Sequence, residues 1–277
     1  MPLKLMYITN NPKIAKIAES SGVDWIFIDL EKIGKKERQG HVDSVKSRHY
    51  IHDIPKIKDK LATSELLVRV NPINKNSRAE IEQVINNGAD IVMLPYFKTV
   101  EEVEVFINIV HGRVQSCLLL ETPEAVNAID DILEINGINF IHIGLNDLHL
   151  GYDMHFMFEL LADGTVETLC NKIHLKNIPY GFGGIAQIGE GDLPAERIIA
   201  EHYRLESSMV ILSRSFFNQD LIDDFKKPSK AFELGVKKIR DYERKVLNAP
   251  EELFLSNKIK VEEIVEQITT KIKQSRL

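Results

Sequence analysis

The feature that most constrains this chain is a recurrence of short apolar runs, each followed by a stretch with helical periodicity. The runs begin near Leu3, Asp24, Leu66, Asp90, Gln115, Ile138, Pro179 and Met209. They lack the alternation of a half-exposed strand, so each is expected to be buried on both faces, as in a covered parallel sheet. Ser77 with Glu80 and Thr99 with Glu102 read as capping boxes that start helices. Asn87-Gly88, Gly112 and Asn136-Gly137 read as helix ends, the last closing a helix over 124–134. Strand–helix units repeating about every 25 residues predict an α/β fold, a (β/α)8 TIM barrel, ahead of an open doubly wound sheet. The spacings after the second and sixth strands are longer, which puts extra loop material at a barrel mouth. The barrel is expected over residues 1–218. Residues 219–277 read as a C-terminal helical extension, with helical stretches at Lys230–Leu247 and Val261–Gln274 around Asn248-Ala249-Pro250. These helices either pack on their own barrel or reach a neighbouring subunit.

In such a barrel the chemistry lies at the C-terminal ends of the strands, so the polar residues that end each run matter most. The second run ends in Ile28-Asp29-Leu30-Glu31, and alternation puts Asp29 and Glu31 on one side. Arg69 sits in the third run, Glu121 ends the fifth, and Gly144-Leu145-Asn146-Asp147 ends the sixth. Each charge is costly to bury alone. Glu121 and Asp147, two carboxylates without a His or Cys cluster, suit Mg²⁺ or Mn²⁺ better than Zn²⁺. An ion-pair cluster around Arg69 without a metal is the alternative. Arg69 can clamp a carboxylate or enolate oxygen, neutralise Asp29 or Glu31, or do both. Gly181-Phe182-Gly183-Gly184 offers backbone amides where barrels often hold an anion, but no Gly-Lys-Ser/Thr follows, so it is not a phosphate loop.

Composition narrows the functions further. The formal net charge of −6 disfavours a general nucleic-acid binder, which needs a basic surface. The N-terminal residues lack a signal-peptide pattern, and no apolar stretch approaches the ~18 residues of a membrane span, so a soluble cytoplasmic protein is expected. Two cysteines, Cys117 and Cys170, cannot form a disulfide framework, and Cys117 in its apolar run reads as a buried thiol.

Taken in order, five segments resemble those of the HpcH/HpaI aldolase and citrate lyase β-subunit family of class II pyruvate aldolases. They are Gly22–Glu31, Leu67–Pro72, Gly88–Pro95, Leu119–Glu124 and Ile143–Leu148, and the resemblance spans roughly residues 20–215. It implies a barrel in which a divalent metal holds a 2-oxo acid or its enolate. By position, Glu121 and Asp147 would be the metal ligands, and Arg69 would bind the oxo-acid oxygens. Asp29 and Glu31 would lie beside the metal, and Gly144, Asn146 and Arg214 are further candidates for substrate contact. Arg214 suits a distal carboxylate or phosphate, with a structural ion pair the other reading.

One position departs from the aldolase pattern. Lys32 stands where these aldolases carry a His of a proton relay. His41, His49, His52, His149 and His155, all in loops after the second and sixth strands, are then candidates for acid–base work. The expected function is a divalent-metal-dependent carbon–carbon lyase acting on a 4-hydroxy-2-oxo acid, with a 2-oxo acid and an aldehyde as partners. Lys32 and the basic run Lys35-Lys36-Glu37-Arg38 motivate a citrate-lyase-like enzyme of CoA esters as the alternative. A barrel that binds metal and oxo acid without catalysis is a third reading. The extension and the resemblance together imply a homo-oligomer.

Overall fold

A run that is apolar on both faces must pair its backbone polar groups with other strands, and eight such runs satisfy this by closing on themselves. The computed structural model describes residues 1–34, 48–216 and 226–275, the side chains of 226–228 excepted. Its strands are β1 (Lys4–Ile8), β2 (Trp25–Asp29), β3 (Glu65–Arg69), β4 (Ile91–Leu94), β5 (Gln115–Leu120), β6 (Phe140–Ile143), β7 (Tyr180–Ile185) and β8 (Met209–Leu212). All pair in parallel, in sequence order, and β8 pairs back onto β1. The chain is a (β/α)8 barrel.

Around it, in chain order, lie α1 (Pro12–Ser20), α2 (Asp53–Lys58), α3 (Ser77–Asn86), α4 (Val100–Val110), α5 (Pro123–Asn127) and α6 (Ile129–Ile132). They continue with α7 (Leu145–Gly151), α8 (Glu159–Ala162), α9 (Thr165–His174), α10 (Ala195–Arg204), α11 (Lys226–Val246) and α12 (Glu251–Ser275). The long spacing after β6 is filled by α7 and α8 ahead of α9. That after β2 holds α2 and the residues outside the described set.

The barrel interior is packed, not hollow. Met6, Trp25, Phe27, Leu67, Ile91, Met93, Cys117, Leu119, Phe140 and Met209 form one buried cluster inside the ring. Trp25 meets Phe140 edge to face with ring centroids 4.8 Å apart, and its indole donates to Glu65 at 2.8 Å, which closes the N-terminal end. Strand β7 approaches β8 so closely that a Cβ on Gly181 would stand 2.0 Å from the Met209 carbonyl oxygen, so only glycine fits there. A larger cluster lies between the strands and the helices.

Two expected helix signals are corrected. Ser77 is not an N-cap: it lies in the first turn of α3, where its hydroxyl accepts from the Asn74 backbone at 2.8 Å. Glu80, its supposed box partner, accepts from the Asn71 amide at 2.7 Å. The helix expected over 124–134 is two short ones, α5 and α6, meeting at Ala128. The Thr99–Glu102 box does form, with both reciprocal bonds present.

Both C-terminal helices pack on the chain's own barrel, α11 against α1 and α10, and α12 against α8 and α10. The joint is polar as well as apolar. Glu243 accepts from the Leu3 amide at 2.7 Å, and Arg240 donates to the Leu3 carbonyl at 2.7 Å, so α11 secures the residue that leads into the first strand. Asn257 of α12 donates to the Arg197 carbonyl at 3.0 Å and to Glu201 at 2.8 Å. Among the described residues no helix is long and apolar enough to cross a membrane.

Candidate active site

Side chains alternate along a strand, so the inward set continues past the packed interior to the C-terminal end of each strand. There the interior changes from apolar to polar and opens into a cavity of about 400 Å³. Asp29, Arg69, Glu121, Gly144, Asn146, Asp147 and Arg214 all line it. Seven of the eight expected site residues therefore share one space, and the eighth, Glu31, is buried and touches it through Arg69.

Arg69 ends β3 beside Asp29, the last residue of β2, and the two are register partners. The guanidinium donates from Nε to Asp29 Oδ1 at 2.9 Å and from Nη2 to Asp29 Oδ2 at 2.8 Å. Glu31 Oε2 lies 3.4 Å from the same Nη2. Burial works against the Arg69 charge, but the Asp29 and Glu31 carboxylates outweigh it and push its pKa up. The Arg69 carbon Cζ also lies 5.6 Å from the Phe27 ring centroid, which holds the fork from below. This geometry commits Nε and Nη2 to the protein and leaves the Nη1 edge for a ligand.

Glu121 follows β5, and Asp147 lies in the first turn of α7, directly after β6. Both are buried. The Tyr96 backbone amide donates to Glu121 Oε1 at 3.1 Å. Tyr96 adopts φ 49°, a left-handed conformation costly for a residue with a side chain, and so spends strain on a contact to this carboxylate. A Cβ on Gly144 would stand 2.8 Å from both Cβ and Oε2 of Glu121, so the glycine leaves the carboxylate its place. Among the described residues no group of three or more His, Cys, Asp or Glu side chains is arranged to hold a metal. A pair of buried carboxylates in a cavity that also admits ligand and water fits a hard, oxygen-seeking divalent cation such as Mg²⁺ or Mn²⁺, which takes its remaining ligands from both.

The histidines separate in space. His49 is buried behind β2, where its Nδ1 accepts from the Asp29 amide at 2.9 Å, so it fixes the strand end and does not line the cavity. His52 stacks on Tyr50 with centroids 5.3 Å apart, and the Lys32 ammonium lies 4.6 Å from the Tyr50 ring centroid. Lys32, His49, Tyr50 and His52 line a separate groove. His149 is buried on α7, with Nδ1 bonded to the Leu145 carbonyl at 3.1 Å and its pKa lowered by burial. The His155 backbone amide donates to Glu159 at 2.7 Å. His41 and the run 35–38 lie outside the described residues.

One histidine was not foreseen. His142, in the middle of β6, lines the cavity and is 1% exposed. Its Nε2 lies 3.0 Å from the Gly183 carbonyl, an acceptor only, so that nitrogen carries the hydrogen. Burial lowers its pKa to about 4 and keeps it neutral. It shares the inward phase of Phe140, a signal present in the sequence. Of the glycine run, Gly183 and Gly184 line the cavity.

A parallel barrel with an ion-paired arginine and two buried carboxylates at one mouth defines the class: a (β/α)8 barrel with a charged cavity at the C-terminal ends of its strands. The particular family follows from the sequence, since the pattern described as HpcH/HpaI aldolase/citrate lyase matches residues 4–156, and the chain belongs to that family. Membership makes it an enzyme of the aldolase and lyase type. Three solved structures share the fold. An HpcH/HpaI aldolase from Desulfitobacterium hafniense DCB-2 superposes with TM-score 0.57 at 16% identity, over 76% of this chain and 86% of that one. An HpcH/HpaI aldolase/citrate lyase family protein from Burkholderia cenocepacia J2315 gives 0.58 at 14%, over 76% and 87%. Citrate synthase SbnG gives 0.59 at 17%, over 83% and 92%. No curated protein matches the chain as a sequence relative.

Proposed function

We propose that this chain is a divalent-metal-dependent carbon–carbon lyase that cleaves or forms a 4-hydroxy-2-oxo acid, releasing or using a short 2-oxo acid and an aldehyde. The observation that carries the reading is the Arg69–Asp29 fork sharing one cavity with Glu121 and Asp147. Glu121 and Asp147 would hold the cation, with Gly144 leaving the room that the Glu121 carboxylate needs. When bound, Mg²⁺ or Mn²⁺ supplies Lewis acidity at the 2-oxo group.

The chain's own residues supply the rest. In cleavage the C4 hydroxyl gives its proton to water in the open cavity and becomes the aldehyde carbonyl, the C3–C4 bonding pair becomes the C2–C3 double bond of the enolate, and the C2 carbonyl π pair moves onto its oxygen. Negative charge grows on that oxygen. The Nη1 edge of Arg69, fixed in the cavity before substrate arrives, is placed to meet that oxygen or the adjacent carboxylate, so little reorganisation is needed as the charge develops. Asp29 and Glu31 act through Arg69: they orient the fork and keep it charged in a buried setting. Gly144 and Asn146 line the cavity beside Asp147 and are assigned to substrate contact. The reading as a lyase of CoA esters rested on Lys32 and residues 35–38. Lys32 lies over Tyr50 outside this cavity, so no observation favours it.

The test is release of pyruvate from a panel of 4-hydroxy-2-oxo acids, followed in a coupled assay with Mg²⁺ or Mn²⁺ and again with excess chelator. Turnover that chelator abolishes and added metal restores is expected. Folded protein with no turnover on the whole panel contradicts the proposal.

A further inference from the structure

His142 lines the cavity but takes no part in the reaction described above. It lies in β6 on the inward side that carries Phe140. A side chain placed there for packing alone needs no polar atoms. The imidazole brings two nitrogens, and one of them, Nδ1, is buried with no hydrogen-bond partner among the described residues. An unpaired buried nitrogen is destabilising, and a leucine or phenylalanine would avoid that cost. The compensating gain lies at the other nitrogen.

Nε2 donates to the Gly183 carbonyl at 3.0 Å, and that carbonyl belongs to an irregular stretch of β7. Pairing between β6 and β7 runs from Ile141 with Tyr180 to Ile143 with Phe182 and ends there. On the other side, β7 advances from Gly181 to Gly184 while β8 advances only from Met209 to Ile211, so β7 carries a bulge. Gly183 sits in this bulge at φ 54°, a left-handed conformation that glycine enters without strain. A bulge re-aims the chain, and here the imidazole gives it a fixed point on the neighbouring strand.

The bulge in turn meets the helix that carries the cation's candidate ligand. A Cβ on Gly183 would stand 2.9 Å from Leu145 Cδ1, so the backbone of the bulge lies directly against the first residue of α7. Asn146 and Asp147 follow Leu145 in the same turn. His142 is thus joined to the start of α7 twice, along the chain through Gly144 and across the sheet through Gly183. Burial, with the Arg69 charge adding to it, lowers the imidazole pKa to about 4. At neutral pH the ring therefore carries a single hydrogen, the one on Nε2, and brings no second positive charge beside Arg69.

We propose that His142 is a positioning residue: its hydrogen bond to the Gly183 carbonyl fixes the β7 bulge, and the bulge fixes the start of α7, so that Asp147 stands ready for a divalent cation. The proposal rests on the reading of Glu121 and Asp147 as the residues that hold that cation. It gives the imidazole neither proton transfer nor direct contact with the metal.

Two measurements test it. NMR of the full chain labelled with ¹⁵N-histidine reads the ring in the wild type near pH 7. A neutral imidazole with its hydrogen on Nε2 is expected, and a hydrogen on Nδ1 or a charged ring overturns the proposal. The second measurement is calorimetric titration with Mn²⁺ of wild type, His142→Leu and His142→Gln, each shown by circular dichroism to be folded. Leucine fills much of the space without a donor, whereas glutamine offers an N–H at a reach similar to Nε2. His142→Leu is expected to weaken Mn²⁺ binding about tenfold, and His142→Gln to recover most of that loss. A residue that serves stability alone would lower Tm and leave Mn²⁺ affinity where it was. Unchanged Mn²⁺ affinity in folded His142→Leu, or an equal loss in His142→Gln, therefore overturns the role of His142 while the cation reading stands. Should His142→Leu not fold, the ring state in the wild type and the Mn²⁺ affinity of His142→Gln decide. Folded wild type that binds no Mn²⁺ overturns the cation reading and this proposal with it.

Discussion

Replacing Arg69 by methionine separates the site's electrostatics from its packing. Methionine keeps much of the side-chain length and covers the Phe27 face, but it removes the charge. Asp29 and Glu31 then lose their shared cation, with side chains 3% and 0% exposed. Breaking one partner of a buried ion pair costs ~3–5 kcal/mol, because the remaining charge cannot rehydrate. For a chain of this size each kcal/mol lowers Tm by roughly 2–4 °C, so Arg69→Met is expected to melt about 6–20 °C below wild type. A second substitution checks the cause. Asp29→Asn in the Arg69→Met background removes one of the two buried carboxylates that faced Arg69 and is expected to recover part of the loss, whereas Asp29→Asn alone is destabilising. Differential scanning calorimetry on the four proteins closes the cycle. An Arg69→Met protein within about 2 °C of wild type, or a double variant no better than the sum of the singles, refutes the claim that these carboxylates depend on Arg69.

Three further outcomes are expected. Gly144→Ala forces a methyl to within 2.8 Å of the Glu121 carboxylate; it should cost ~1–3 kcal/mol in urea unfolding and weaken Mn²⁺ binding at least tenfold by calorimetry. Glu19 on α1 accepts from the backbone amides of Ala62, Thr63 and Ser64 and from Lys16; burial opposes its charge, but these bonds outweigh it and hold the pKa at about 2 against an ordinary 4.5. A depressed carboxylate stabilises above its unfolded pKa and loses that as pH falls, so ~3 kcal/mol present at neutral pH should vanish between about pH 4.5 and 2, and Glu19→Gln should show a flatter acid-stability curve than wild type. Cys117 and Cys170, 0% and 1% exposed with thiol pKa values raised by burial, should react with a thiol reagent only after denaturant is added; labelling of the native protein contradicts their placement.

Strands were the legible part of the fold because burial on both faces leaves a short continuous apolar run, and eight of these recur between segments of helical periodicity. Thr99 with Glu102 was equally plain, since that box is satisfied by its own four residues. Ser77 with Glu80 had the same letters and failed because Asn71, far enough away in sequence to be invisible to a local rule, takes the Glu80 carboxylate. The site was legible where a charge ends an apolar strand: Asp29, Arg69, Glu121 and Asp147 announce themselves against their neighbours. His142 did not, because an imidazole inside a run reads as a core residue until the inward phase of β6 is traced from Phe140. The Tyr96 amide left no sequence signal at all, because backbone strain at φ 49° depends on where the chain must go after β4. The positions of Lys32, His49 and His52 depend on where the chain lies after β2, and those of His149 and His155 on where it lies after β6, neither of which local spacing fixes.

The central claim is that one cavity, armed by Arg69, Glu121 and Asp147, turns a bound 2-oxo acid into its enolate. Proton NMR of pyruvate in D₂O with Mn²⁺-free protein, then with Mg²⁺ added, reads this directly through loss of the methyl signal. Exchange that requires Mg²⁺, and that falls by at least a hundredfold in folded Glu121→Gln and Arg69→Met, is the predicted result. Pyruvate that binds with Mg²⁺ yet keeps its methyl protons indefinitely contradicts the account.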